Sequence, residues 1–325
     1  MPSPQQPVAS PFGERSTAMD VAADADLADR HVIVTGGYSG IGTETVRALA
    51  ARGAQVIVGA RRPDQAREVL AALDGAIEVV ALDLLSPASI DAFAAEITKR
   101  IAALPLLINN AAVMACPLTR DERGYEFQFA TNHLGHFQLT ARLWPLLVAA
   151  EEARVVVLSS IGHRLNGLDV DDPNFEARDY DKWLAYGQAK SANALFALHL
   201  DSLGEAQGVR AFSVHPGGIR TPLQRHLSME EQTAMGWYDE EGNLNPAFKS
   251  VEEGAATTVW CATSPLLAGM GGVGGVYCED CNVALPADQA RNRTSGVSAH
   301  VCDEALAEAL WRRSEALCDL RFPAA

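Results

Sequence analysis

Short apolar runs, separated by stretches that read as helix, constrain the fold of this chain more than any other feature. They are His31–Thr35, Gln55–Ala60, Ala76–Leu82, Leu106–Asn109, Arg154–Ser159, Val209–Val214 and Gly275–Cys278. Each is apolar nearly throughout, without alternation. A strand with one wet face alternates apolar and polar residues, whereas a strand covered on both faces does not. Between the runs lie helical patterns at about Ile41–Arg52, Tyr125–Ala150 and Leu184–Leu203, and Ser86-Pro87 reads as an N-cap and first-turn proline. Strands that alternate with helices predict an α/β chain with a single-domain, doubly wound parallel sheet of about seven strands. The domain spans residues 29–325, with no internal repeat and no linker. Residues 1–28 are rich in Pro, Ser, Ala and Asp, lack periodicity, and read as a flexible N-terminal extension.

The bulk numbers narrow the partners. With 325 residues, 48% of them apolar, the chain can bury a large core. Its formal charge of −15 disfavours nucleic acid and anionic membrane surfaces. The uncharged run 254–278 is broken by glycines and a proline, so it does not read as a membrane span. No signal peptide is evident, and a cytoplasmic protein is expected. Six cysteines in a chain of this length are no disulfide scaffold. Cys278 and Cys281 have the spacing of half a zinc site, but no second pair or histidine cluster completes it. They read as ordinary thiols, and no metal is expected.

The first strand runs into Thr35-Gly36-Gly37-Tyr38-Ser39-Gly40-Ile41-Gly42 and then a helix. Glycines at a strand-to-helix turn let the backbone approach a pyrophosphate, which sits on the helix N-terminus. This is the position of a dinucleotide in a Rossmann-type sheet. At the end of the second strand, an acidic residue would select NAD through the ribose 2′-hydroxyl. Here Ala60 is followed by Arg61, which suits the 2′-phosphate of NADP(H). Arg62 reads as a solvated charge at a helix start, and a surface cation without a ligand is the plain alternative for Arg61. Asp83, followed by Leu84, ends the third strand, where a carboxylate serves an adenine amino group, a helix cap, or both. Asn109 and Asn110 end the fourth, suited either to cofactor ribose contacts or to locking a neighbouring strand.

Tyr186 and Lys190 stand at i and i+4 on one helix face. A free tyrosine, with a pKa of about 10, is a poor base at neutral pH. A nearby lysine cation lowers that value and makes the pair an acid–base catalyst. Ser160, at the end of the fifth strand, supplies a hydroxyl to hold a substrate oxygen. Glycine turn, Asn109-Asn110-Ala111, Ser159-Ser160 and Tyr186/Lys190 follow one another in a fixed order. The ordered set points to nicotinamide-dependent oxidoreductase chemistry.

With these motifs the chain resembles the short-chain dehydrogenase/reductase family, in its retinol-dehydrogenase-like branch, over about residues 30–280. Asn132-His133-Leu134-Gly135-His136-Phe137 and the long insert between Ser160 and Tyr186 match that branch. The resemblance implies that Asn132 joins Ser160, Tyr186 and Lys190 as a catalytic tetrad, holding a water in a proton relay. It implies that Lys190 also bonds the nicotinamide ribose, and that Ile41 and the Asn110-Ala111 backbone line the cofactor. Pro216, Gly217, Ile219 and Thr221 would cradle the nicotinamide and its phosphate. Two residues depart from the pattern: Ala112, where the family usually has glycine, and Tyr38 in the glycine turn. The resemblance also implies a homodimer or homotetramer, with contact faces on helices 125–150 and 184–203.

Residues 221–250 break the rhythm after the sixth strand and read as a mobile lid at the carboxyl edge of the sheet. Leu223, Met229, Met235 and Trp237 there suggest a small apolar ketone, aldehyde or alcohol as substrate, although core or subunit interface suits them equally. A non-catalytic NADP-binding protein usually loses the tyrosine or lysine, and both are kept here. Epimerases and dehydratases tend to carry the spacing G-x-x-G-x-x-G, which is absent after Thr35.

Overall fold

The apolar runs pair as parallel strands. A computed structural model describes residues 3–150, 152–267 and 272–323. Residues 1–2 of the expected extension and 324–325 of the expected domain lie outside the described residues. The first half of the chain forms α1 (Ala18–Ala22), β1 (His31–Thr35), α2 (Ile41–Ala50), β2 (Gln55–Ala60), α3 (Pro63–Leu70), β3 (Ala76–Ala81), α4 (Pro87–Arg100) and β4 (Leu106–Asn109). Then follow α5 (Phe127–Phe129), a π-turn at Ala130–Leu134, α6 (Gly135–Val148), β5 (Ala153–Leu158), α7 (Lys182–Gly204) and β6 (Val209–His215). The chain continues through α8 (Met229–Ala234), α9 (Val251–Thr263), β7 (Val276–Glu279), β8 (Asn282–Val283) and α10 (Glu304–Cys318).

The strand order is β3-β2-β1-β4-β5-β6-β7-β8. The sheet therefore has eight strands where about seven are expected. The extra one, β8, is two residues long and antiparallel to β7, too short for any periodicity to betray. All other neighbours are parallel, with Val34 opposite both Val58 and Ile108. Alternate residues face opposite layers. Val32, Val34, Val56 and Val58 pack with Leu49 and Trp260 from α2 and α9. Ile33, Ile57, Leu107 and Val155 pack with Phe93, Phe137 and Phe196 from α4, α6 and α7. Burial on both faces explains the absence of alternation in these runs.

Two expectations change. The long helix predicted over 125–150 is interrupted by the π-turn, where Gly135 N–H donates to Ala130 O, five residues back. The segment read as flexible is packed over its described part. Gln5 donates to the carbonyls of Tyr277 and Ala284 at 2.7 and 2.8 Å and accepts from Tyr277 N–H at 3.0 Å. Ala18, Val21 and Ala22 of α1 are buried against α9. Contacts supplied from far along the chain order a stretch that has no periodicity of its own.

Within the chain, α10 packs against α7. Trp311 stacks on Phe196 with centroids 5.7 Å apart and meets Phe137 edge-on at 5.0 Å. His133 and Ser314 share a 2.7 Å hydrogen bond, and Tyr125 donates to Leu317 O at 3.0 Å. On the α6 side, the exposed Arg142 pairs with Asp91 of α4.

Candidate active site

The order of the sheet reverses between β1 and β4, and the carboxyl ends of the strands open there into a crevice. The crevice is about 1520 Å³. That exceeds the roughly 300–1,000 Å³ of an ordinary small-molecule site and leaves room for a dinucleotide and a second molecule. One wall is the glycine turn. Gly36 and Gly40 have φ of +65° and +54°, a region that disfavours side chains. A Cβ on Gly36 would lie 3.0 Å from the Ala111 Cβ, and one on Gly40 3.0 Å from Thr221 Cγ2. The turn is therefore shaped by backbone alone and delivers the start of α2 to the crevice, as a pyrophosphate requires. Tyr38, Ser39, Ile41, Arg61, Asp83, Leu84, Ala111, Ala112, Pro216, Gly217, Ile219 and Thr221 also line it. These residues fit a nicotinamide dinucleotide.

Gly42 does not reach the crevice. Its missing side chain makes room for Asn110, whose Nδ2 would stand 2.7 Å from a Cβ there. Both asparagines at the end of β4 act as locks. Asn110 Nδ2 donates to Thr35 O at 2.8 Å, and Asn109 Nδ2 to Thr140 Oγ1 at 3.1 Å. Asp83 Oδ1 accepts from Leu85 N–H at 3.1 Å, while Ser86 caps α4. Arg62, read as a solvated charge, stands at the N-cap of α3, exposed, and lines the crevice beside Arg61.

Ser160, Tyr186 and Lys190 come together on the crevice floor. Ser160 Oγ accepts from Gly162 N–H at 3.0 Å, and His163 Nδ1–H donates to Ser160 O at 2.7 Å. Gly162 leaves space for the phenol, since a Cβ there would lie 2.8 Å from Tyr186 Cε1. α7 carries both Tyr186 and Lys190; Asp181 starts it by accepting from the N–H groups of Trp183 and Leu184. Lys190 Nζ donates to Leu158 O at 2.8 Å, leaving two of the three donors of an ammonium for other partners.

Asn132 is placed differently. It is buried in the π-turn outside the crevice lining, and its side chain is spent on Val113: Oδ1 accepts from Val113 N–H at 2.8 Å and Nδ2 donates to Val113 O at 2.9 Å. Its own carbonyl accepts from His136 Nδ1–H at 2.9 Å. The asparagine side chain thus fixes the loop leaving β4.

Burial sets the protonation states. It pushes the Tyr186 hydroxyl up to about 12, with the Ser160 hydroxyl pulling it down. It lowers Lys190 to about 7. The lysine Nζ is 5.7 Å from the phenol ring centroid. The expected lowering of the tyrosine by the lysine is outweighed, because both groups have lost water. A lysine that titrates at about 7 when folded and at 10.5 when free in water makes the unfolded chain bind more protons between those values. Its contribution to stability therefore rises from pH 7 to 10.5. Urea unfolding of the wild type and Lys190→Met across that range tests this: the difference should move in favour of the wild type as pH rises, and a flat difference would refute it.

Lining residues that the sequence reading passed over include Arg164, Trp183, Phe248, Arg293 and Thr294. Trp183 was readable, since it lies one turn before Tyr186 on the same helix face. Arg293 and Thr294, far along the chain, gave no signal. Of the four apolar lid residues, Leu223, Met235 and Trp237 line the crevice; Met229 faces solvent.

Residues 30–232 match the family described as short chain dehydrogenase. The chain is a member of the short-chain dehydrogenase family. A protein of Streptomyces lividans named a probable oxidoreductase is 43% identical over 88% of this chain and 96% of its own length. Human retinol dehydrogenase 13 is 35% identical, over 92% of this dehydrogenase and 87% of its own length. A solved structure from Mycobacterium paratuberculosis superposes with a TM-score of 0.72 at 33% identity, covering 93% of this chain and 98% of the other. The fold of the dehydrogenase and its retinol-dehydrogenase-like relatives thus agree with the reading of its motifs. No helix among the described residues is long and apolar enough to cross a membrane.

Proposed function

We propose that this dehydrogenase is an NADP(H)-dependent carbonyl reductase or alcohol dehydrogenase. The observation that carries the reading is the convergence of Ser160, Tyr186 and Lys190 on the floor of a crevice whose rim holds the glycine turn and Arg61. A bound nicotinamide supplies the hydride. Ser160 and Tyr186 hold the substrate oxygen by hydrogen bonds, which favours charge developing there. Tyr186, pushed up to about 12, is protonated at neutral pH and is the proton donor when a carbonyl is reduced. Lys190 uses its free donors to bind the ribose and returns a proton toward the phenol. Asn132 positions the loop after β4.

Arg61 and Arg62 are both exposed at the end of β2 and line the crevice, and neither forms an ion pair among the described residues, an arrangement that suits a 2′-phosphate. The test is loss of NADPH absorbance over a panel of ketones and aldehydes, with NADH in parallel. Turnover with NADPH, and a KM for NADPH raised by about tenfold or more in Arg61→Ala against a small change for NADH, is the expected result. Equal losses for the two cofactors would assign NAD(H) instead. Tight NADPH binding without turnover on any compound would favour a non-catalytic binding protein.

A further inference from the structure

The crevice carries a charge that the chain as a whole does not. With 26 Lys and Arg against 41 Asp and Glu, carboxylates are in excess over the chain. Arginines away from the crevice find them readily: Arg47 pairs with Glu44, Arg142 with Asp91, Arg210 with Asp201 and Arg312 with Glu308. The crevice lining is the reverse. Arg61, Arg62, Arg164, Lys190, Arg225 and Arg293 all line it, and Asp83 is its only carboxylate among the described residues. Arg61 and Arg62 belong to the adenosine end and Lys190 to the floor. Arg164, Arg225 and Arg293 remain, and none has a carboxylate at ion-pair distance among the described residues.

These three come from separate elements. Arg164 ends the turn that begins at Ser160, Arg225 lies in the lid, and Arg293 lies in the loop between β8 and α10. That loop is fastened to the catalytic turn. His163 Nε2 accepts from Ser298 N–H at 3.0 Å, and Arg164 donates to Ser295 O. Gly296 N–H donates to the Glu279 carboxylate at 2.8 Å. The hydrogen bonds fasten the loop that carries Arg293 to the turn that carries Arg164. Arg225 lines the same crevice from the lid, near enough to Cys116 for its charge to draw down the thiol that burial raises. The same site has an apolar part: Met114, Tyr186, Leu227 and the partly buried Trp183, Leu223 and Trp237 form one cluster.

We propose that Arg164, Arg225 and Arg293 form an anion-binding subsite, and that the substrate is a carbonyl or alcohol compound with an apolar body and an anionic end, a carboxylate or a phosphate. The proposal rests on the oxidoreductase reading for the place of the reacting carbon, and it replaces the wholly apolar substrate expected from the lid residues. Guanidinium groups bind either anion through charge-assisted, often paired, hydrogen bonds.

The test measures binding and needs no turnover. Octanoate, octyl phosphate and octanol are titrated into the NADP⁺-loaded protein, with quenching of tryptophan fluorescence as the readout, since Trp183 and Trp237 face the crevice. Both anions should bind about tenfold or more tighter than octanol, and the advantage should shrink with added salt. Arg225→Glu and Arg293→Glu, at exposed positions that do not threaten folding, should abolish it. Arg312→Glu on the far side of α10 should leave it intact. The tighter of the two anions names the end group. Octanol binding as tightly as the anions, no binding of either anion, or an advantage that survives both charge reversals would overturn the subsite. Failure of the oxidoreductase reading looks different: NADPH bound but never oxidised, whatever the preference among these probes.

Discussion

Tyr186→Phe is expected to lower kcat for carbonyl reduction by about 10²- to 10⁴-fold, the usual worth of a positioned proton donor, with NADPH binding retained. The substitution is clean because the ring does structural work that phenylalanine can continue. Tyr186 is 5% exposed and packs with Met114 and Leu227, and Trp183 meets it edge-on at 6.3 Å. Gly162 gives the ring its place. Only the hydroxyl is lost, and with it the proton donor and the partner of Ser160. Steady-state kinetics with a carbonyl substrate, set beside a fluorescence titration of NADPH, separates the two effects. Unimpaired turnover would refute the assigned role, and a parallel loss of NADPH affinity would make Tyr186 a cofactor contact instead.

The second large effect lies far from the chemistry. Trp311→Ala should destabilise the fold by about 3–5 kcal/mol, the usual cost of removing a large buried aromatic. Trp311 is 5% exposed, touches Phe137, Phe196, His199 and Phe322, and donates through Nε1 to Phe322 O at 3.0 Å. It is the centre of the cover that α10 lays over α7. Its loss should also expose apolar surface on α7, so the variant should self-associate more than the wild type. Urea unfolding reads the first consequence and light scattering the second. A wild-type dimer held through α7 would contradict the cover, and an unchanged unfolding midpoint would show that α10 contributes little.

Some of this was legible because its physics is local. Unalternating apolar runs mean burial on both faces whichever helices provide it, so the parallel sheet could be read from the strands one at a time. Tyr186 and Lys190 share a face because a helix turns every 3.6 residues. Ser160 follows a strand, and the glycine turn precedes a helix, within a few residues of chain. Asn132 shows the limit. Its side chain is committed to Val113, nineteen positions earlier (132 minus 113), and no local pattern reveals such a bond. Gly42 is a glycine for the sake of Asn110, not of a ligand. The N-terminal segment, featureless alone, is held by the edge of β7 and by α9. A capping box at Thr17 and Asp20 was its one local sign of a helix.

The sequence by itself determined the seven long strands, their alternation with helices and the doubly wound class, and it singled out the serine, tyrosine and lysine that meet in the crevice, because hydrophobic period and turn chemistry act between near neighbours. Only the tertiary structure decided what depends on distance through space. Desolvation of Tyr186 and Lys190 moves both away from their ordinary values. The C-terminal helix, far along the chain, packs over α7. And arginines at 164, 225 and 293, scattered in the chain, line one crevice of an otherwise acidic protein, since charges act on whatever the fold brings near them.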